Sequence, residues 1–235
     1  MCNVRMRKII LLIILITGFA TANAQMNYIS KGNKLIYFGI AMGGNMADYT
    51  IVRKPKLDAS VPDSVKLIST RFGGGFDLGI VTNIQFHKFI DLRFVPSLTF
   101  SDKEIKFTDI NGEEVKPAKK VNSIYLSFPL TVRYKSKPIK DFRFYVLGGL
   151  RYNFDLNAQS NERNNGDQIL VNPHDFGGEM GFGFQVFFPT FVFSPEIKVF
   201  HSFMDVKRPN EGLIYSRAID KLFSRMFSFT INLEG

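Results

Sequence analysis

FRFYVLGGLRYNFDL, residues 142–156, decides the fold. Every second residue from Phe142 is uncharged: Phe144, Val146, Gly148, Leu150, Tyr152, Phe154 and Leu156. The residues between them are Arg143, Tyr145, Leu147, Gly149, Arg151, Asn153 and Asp155. A period of two sends alternate side chains to opposite faces of a strand. One face of this strand is therefore apolar along its whole length, and the other carries charge.

The same pattern recurs along the chain. It predicts strands at 35–43, 71–81, 90–101, 121–134, 142–156, 176–188, 191–200 and 225–234. Segment 71–81 sets Phe72, Phe76, Leu78 and Ile80 against Arg71, Gly73, Gly75, Asp77 and Gly79. Segment 90–101 sets Ile90, Leu92, Phe94 and Leu98 against Asp91 and Arg93. Arg133, Glu179, Glu196 and Lys198 hold the corresponding places in later strands. Connections alternate in length: 44–70, 102–120, 157–175 and 201–224 are long, and those after the second, fourth and sixth strands are short. Long loops at one end and short turns at the other, with an even strand count, predict an all-β, eight-stranded, antiparallel up-and-down transmembrane β-barrel. Pro96, Pro129 and Pro195 fall inside strands and predict local bulges.

Two features place the apolar face outside. An eight-stranded barrel has room for little beyond its own inward side chains, and roughly five large apolar groups per strand would overfill it. The opposite face is rich in glycine and single charges of both signs, unlike the Lys- and Glu-rich surface that meets water. Arg71, Asp77, Asp91, Arg93, Arg133, Arg143, Arg151, Asp155, Glu179, Glu196 and Lys198 are expected to form a lumen-facing structural network. In lipid, only closure satisfies every backbone group of a strand. A soluble exported barrel or sandwich is the weaker alternative.

The chain has 235 residues and opens with a basic head at Arg5, Arg7 and Lys8, an apolar run from Ile9 to Ile16, and Ala22-Asn23-Ala24. This order reads as a cleavable signal peptide over 1–24, followed by one domain over 25–235. The apolar run is shorter than a spanning helix requires. Cys2 is the only cysteine and precedes that run, so disulfides and thiolate chemistry are not expected of the exported protein. The formal charge is +9, but dispersed and on an exported chain. Nucleic acid is therefore not an expected partner, whereas outer-membrane lipid is. Both termini are expected in the periplasm.

Little in the sequence points to catalysis, a metal or a cofactor. His87 falls in a predicted turn, and His174-Asp175 and His201-Ser202 fall in predicted loops. A hydrolytic trio of Ser202, His201 and Asp175 is conceivable, with no supporting spacing. GGGFDLG at 73–79 lacks the Lys-Ser/Thr end of a phosphate loop. Asn111-Gly112 is a hairpin signal. The short connection KSKPIKD carries Lys135, Lys137 and Lys140 and is a candidate periplasmic partner-docking turn.

The stretch YLSFPLTVRYKSKPIKDFRFYVLGGLRYNFDL, residues 125–156, resembles the PorT-type outer-membrane β-barrel proteins, within the broader outer-membrane β-barrel group common in Bacteroidetes. Phe144 departs from the proline expected there in many relatives. The resemblance implies a non-enzymatic component of the type IX protein secretion system, with other secretion proteins as partners. The alternatives are a narrow channel or transporter, or a small barrel of generic structural role.

Overall fold

The computed structural model describes residues 34–53, 67–108, 119–157, 171–207 and 219–235. The expected leader and the Asn111-Gly112 signal lie outside these. Among the described residues there are nine strands: β1 (Ile36–Arg53), β2 (Leu67–His87), β3 (Ile90–Phe94), β4 (Ser97–Thr108), β5 (Lys119–Lys135), β6 (Phe142–Asp155), β7 (His174–Phe187), β8 (Val192–Ser202) and β9 (Ile219–Glu234). All pair antiparallel with their neighbours, and β1 pairs with both β2 and β9, so the sheet closes into a ring.

β3 and β4 are two halves of one predicted strand, which makes eight staves in all. Val95 and Pro96 separate them, because proline has no N–H to donate to the ladder. The break is local. Ile80 N donates to Pro96 O at 3.0 Å and Val95 N donates to Pro129 O at 3.2 Å. Asp91, Arg93, Val95, Thr99 and Ser101 stay buried across it, so the alternation keeps its phase. The register shift in the β2–β4 ladder falls between Phe72 and Gly75, not at a proline. Pro129 stays in register opposite Arg151. Pro195 lies where β7–β8 pairing lapses between Gly183↔Glu196 and Val186↔Phe193.

Several strands run much further than the apolar pattern suggests. β1 has 18 residues and β2 has 21, against about 9–11 for a spanning strand. Beyond Met46 the outward residues of β1 turn polar, with Asp48 and Thr50, yet the ladder with β9 continues to Arg53. Hydropathy stops where the apolar belt stops, while backbone pairing does not. The predicted long loops are consequently shorter than 44–70, 102–120 and 201–224 imply.

The barrel has a turn end and a loop end. Lys88-Phe89, Ser136–Asp141 and Phe188–Phe191 close the turn end, where Lys34 and Gly235 also lie. Lys140 has a φ of 55°, inside a tight turn in which Ile139 and Phe142 exchange both backbone hydrogen bonds. The outward face is apolar: Phe38, Ile40, Leu78, Ile80, Val132, Val146, Phe182 and Phe229 are each at least half exposed. Aromatic groups collect at both margins of this belt. Phe142, Phe144 and Phe184 cluster near the turn end, and Tyr152, Phe154, Phe176 and Phe203 near the loop end. The buried groups are largely polar and face inward.

Candidate functional site

Among the described residues the lumen gathers most of the ion pairs, and it does so in storeys. Nearest the turn end, Arg93 on β3 bonds both Glu196 on β8 and Glu234 on β9. Arg133 on β5 pairs with Asp91 at 2.7 Å and reaches Glu234 at 3.5 Å. Lys135 holds the other Asp91 oxygen at 2.5 Å. Tyr145 Oη donates to Glu196 at 2.8 Å, and the Arg133 guanidinium lies over its ring at 4.9 Å. Tyr37 Oη bonds Asp91 and Arg133. This cluster alone ties β1, β3, β5, β6, β8 and β9 across the bore.

The middle storey centres on Arg151 of β6. Its guanidinium meets Glu179 at 3.0 Å, Asn153 at 2.8 Å, Ser127 at 3.0 Å and Thr99 at 3.2 Å. Lys198 stands between Glu179 at 4.0 Å and Glu196 at 3.9 Å, joining this storey to the one below. Asp77 is buried beside a cavity of about 20 Å³ that Arg151, Lys198, Ser228 and Thr230 also line. That is room for about one water molecule.

Towards the loop end, Lys103 donates to Tyr125 Oη at 2.9 Å and to Ser224 Oγ at 2.6 Å, with the Tyr49 ring 4.4 Å from its Nζ. Asp155 and Asp175 are buried nearby, the latter accepting from Ser202. Two apolar clusters, Ala41–Val81–Val95 and Ala47–Phe200–Met226, separate the storeys. Arg93, Arg133, Lys103, Phe200 and Met226 are each at most 1% exposed, so side chains fill the bore.

Ten of the eleven residues expected in the lumen point inward; nine of them are buried, and the side chain of Lys198 is 12% exposed. Arg143 is among them, its guanidinium over the Phe187 ring at 5.4 Å. Arg71 has the inward phase but lies exposed beyond the filled part of the bore, so it joins none of the three storeys. The proposed docking turn is also corrected. Lys135 is the last residue of β5, buried and bonded to Asp91, and offers nothing to a partner. Lys137 and Lys140 are exposed.

The trio of Ser202, His201 and Asp175 is not assembled. Ser202 and Asp175 meet inside the barrel, and His201, one residue along, faces outward with its ring 6.4 Å from that of Phe223. Strand alternation separates the base from the nucleophile. His174 is likewise outward, bonded to Tyr152 Oη at 2.7 Å.

Sequence reasoning missed Tyr37, Lys103, Tyr145 and Glu234. The signal was present in the phase: Lys103 continues Thr99-x-Ser101, and Glu234 continues Ser228-x-Thr230-x-Asn232. Lys103 sat in a supposed loop, and Glu234 looked like an irregular end.

A family model described as "Outer membrane protein beta-barrel domain" matches residues 23–208. The chain belongs to this family. It is an outer membrane β-barrel protein, and the family's barrels meet lipid with the apolar outer face seen here. Among solved structures, OprG from Pseudomonas aeruginosa is 12% identical, with 85% of this chain and 92% of that chain covered and a TM-score of 0.46. Neisserial surface protein A is 13% identical, with 85% and 96% covered and a TM-score of 0.43. Ail, the attachment invasion locus protein of Yersinia pestis, is 10% identical, with 85% and 98% covered and a TM-score of 0.36. No curated protein matches the chain in sequence.

Proposed function

We propose that this protein is a closed, non-enzymatic membrane scaffold, a PorT-like component of a protein secretion machinery of the type IX kind. The observation that carries the scaffold reading is the filled bore. Ion pairs and apolar clusters occupy it from Glu234 near the turn end to Lys103 near the loop end. A wall braced in this way offers a rigid frame rather than a conduit. The secretion assignment rests on the resemblance at 125–156.

In this reading an N-terminal signal peptide exports the chain, and the turn end and both termini lie in the periplasm. Short turns on that side and longer loops outside match the usual asymmetry of such barrels. Lys137 and Lys140 then face periplasmic partners, which are other secretion proteins. A small barrel of generic structural role fits the same fold and the same filled lumen.

A clean deletion strain tests the assignment. Cargo trapped in the periplasm, with the protein itself in the outer-membrane fraction, supports a secretion component. Normal export rejects it and leaves the generic role. Steady ion conductance of the purified barrel in planar bilayers would reject the closed scaffold in favour of a channel.

A further inference from the structure

β2 is the stave that the ion pairs of the bore pass by. Its one charge within the filled part is Asp77, 9% exposed, and among the described residues neither of its carboxylate oxygens has a hydrogen-bond partner. A carboxylate taken out of water keeps its charge only where donors replace the lost hydration. Arg151 stands on the same cavity, but its guanidinium is committed to Glu179, Asn153, Ser127 and Thr99. Lys198 is differently placed. Its Nζ lies 4.0 Å from Glu179 and 3.9 Å from Glu196. That is close enough for attraction and too far for a hydrogen bond, which reaches about 3.2 Å. Neither glutamate takes up its three N–H donors.

Asp77 and Lys198 line the same enclosed cavity of about 20 Å³, together with Thr230 and Ser228. The register explains the space. Gly43 of β1 lies between Asp77 on β2 and Thr230 on β9, directly opposite each. Glycine sends no side chain inward there, so a gap separates the carboxylate from the hydroxyl. The Thr230 hydroxyl also has no hydrogen-bond partner among the described residues. Lys198 enters from β8, one strand further round, opposite Ser228. An acceptor, a hydroxyl and a cation thus converge on one small volume without a direct bond between them.

Size and charge choose the ligand. The volume admits about one water molecule and nothing larger. Arg151 and Lys198 balance Asp77 and Glu179, so this storey is neutral. A metal cation would face two cations there, and an anion would face Asp77. We propose that one internal water binds in this cavity, donating a hydrogen bond to Asp77 and accepting one from Lys198, with Thr230 as its third partner. This water is the link that ties β2 into the bracing of the bore, through β8 and β9. The site stands on its own geometry, whether or not the barrel serves secretion.

A crystal structure of the purified full barrel, at a resolution that shows ordered water, tests the site directly. One density peak is expected within hydrogen-bond reach of the Asp77 carboxylate, Lys198 Nζ and Thr230 Oγ1. A cavity without a peak, or a direct Asp77–Lys198 contact, would overturn the proposal. So would an anomalous signal at the peak in crystals grown from rubidium or bromide salts, which would mark an ion. A second measurement follows the urea unfolding constant of variants in lipid vesicles. Ala41 lines the same cavity, and A41V fills it. D77N keeps the size of the side chain and removes its charge, so any overpacking by A41V is alike in both backgrounds. A41V should raise the unfolding constant about tenfold more in the wild type than in D77N, the difference between a hydrogen bond to a charged group and one to a neutral group. Equal effects in the two backgrounds would mean that A41V acts by crowding alone, and would overturn the water bridge. Heat-modifiable gel mobility confirms that each variant is folded.

Discussion

Replacing Arg93 by methionine removes the central cation of the turn-end storey. Arg93 is 1% exposed and bonds two carboxylates from different strands, Glu196 and Glu234. Methionine keeps most of the volume, so the cost is electrostatic. Breaking a buried ion pair from one side costs about 3–5 kcal/mol, because the remaining charge is left desolvated. Here each orphaned carboxylate keeps a second cation. Arg133 stands 3.5 Å from Glu234 and Lys198 stands 3.9 Å from Glu196. That places the loss at the lower end, about 3 kcal/mol. The chain has no tryptophan, so tyrosine fluorescence or gel mobility must follow urea unfolding from lipid vesicles. The midpoint should fall by about 1 M or more, given a slope of roughly 1–3 kcal/mol per molar urea. Neutralising the partners as well, in R93M/E196Q/E234Q, should recover most of the loss. A loss under about 1 kcal/mol for R93M, or no recovery in the triple variant, would refute the view that pairing across the bore holds the staves together.

Five further outcomes can be checked with the same unfolding assay. G183A should destabilise by about 1–3 kcal/mol, since its Cβ would sit 2.5 Å from Pro195 O and 2.7 Å from Tyr145 Oη. The outward G148A, whose Cβ meets nothing within 4 Å, should stay within about 0.5 kcal/mol of wild type. K140G should stabilise by about 1 kcal/mol, because glycine adopts the positive φ of that turn without a Cβ penalty. K135Q should cost about 2–3 kcal/mol by leaving Asp91 with Arg133 as its one remaining cation among the described residues, whereas the exposed K137Q should be within about 0.5 kcal/mol of wild type.

The sequence by itself determined the eight staves and their faces, because a period of two is a local property that each segment states independently. Phe144-x-Val146 and Arg143-x-Tyr145 assign inside and outside without reference to any other strand. It did not determine where the strands end. At Asp48 and Lys103 the apolar signal fades while backbone pairing continues, and that pairing depends on the neighbour across the ladder. Nor could it assign partners. Asp91 finds Arg133 forty-two residues away and Arg93 finds Glu234 at the far end of the chain. Closure of the ring between β1 and β9 decides which inward charges share a height, and only at a shared height can they pair. Composition supplied the charges and the gaps, and the stagger of the closed sheet brought them together.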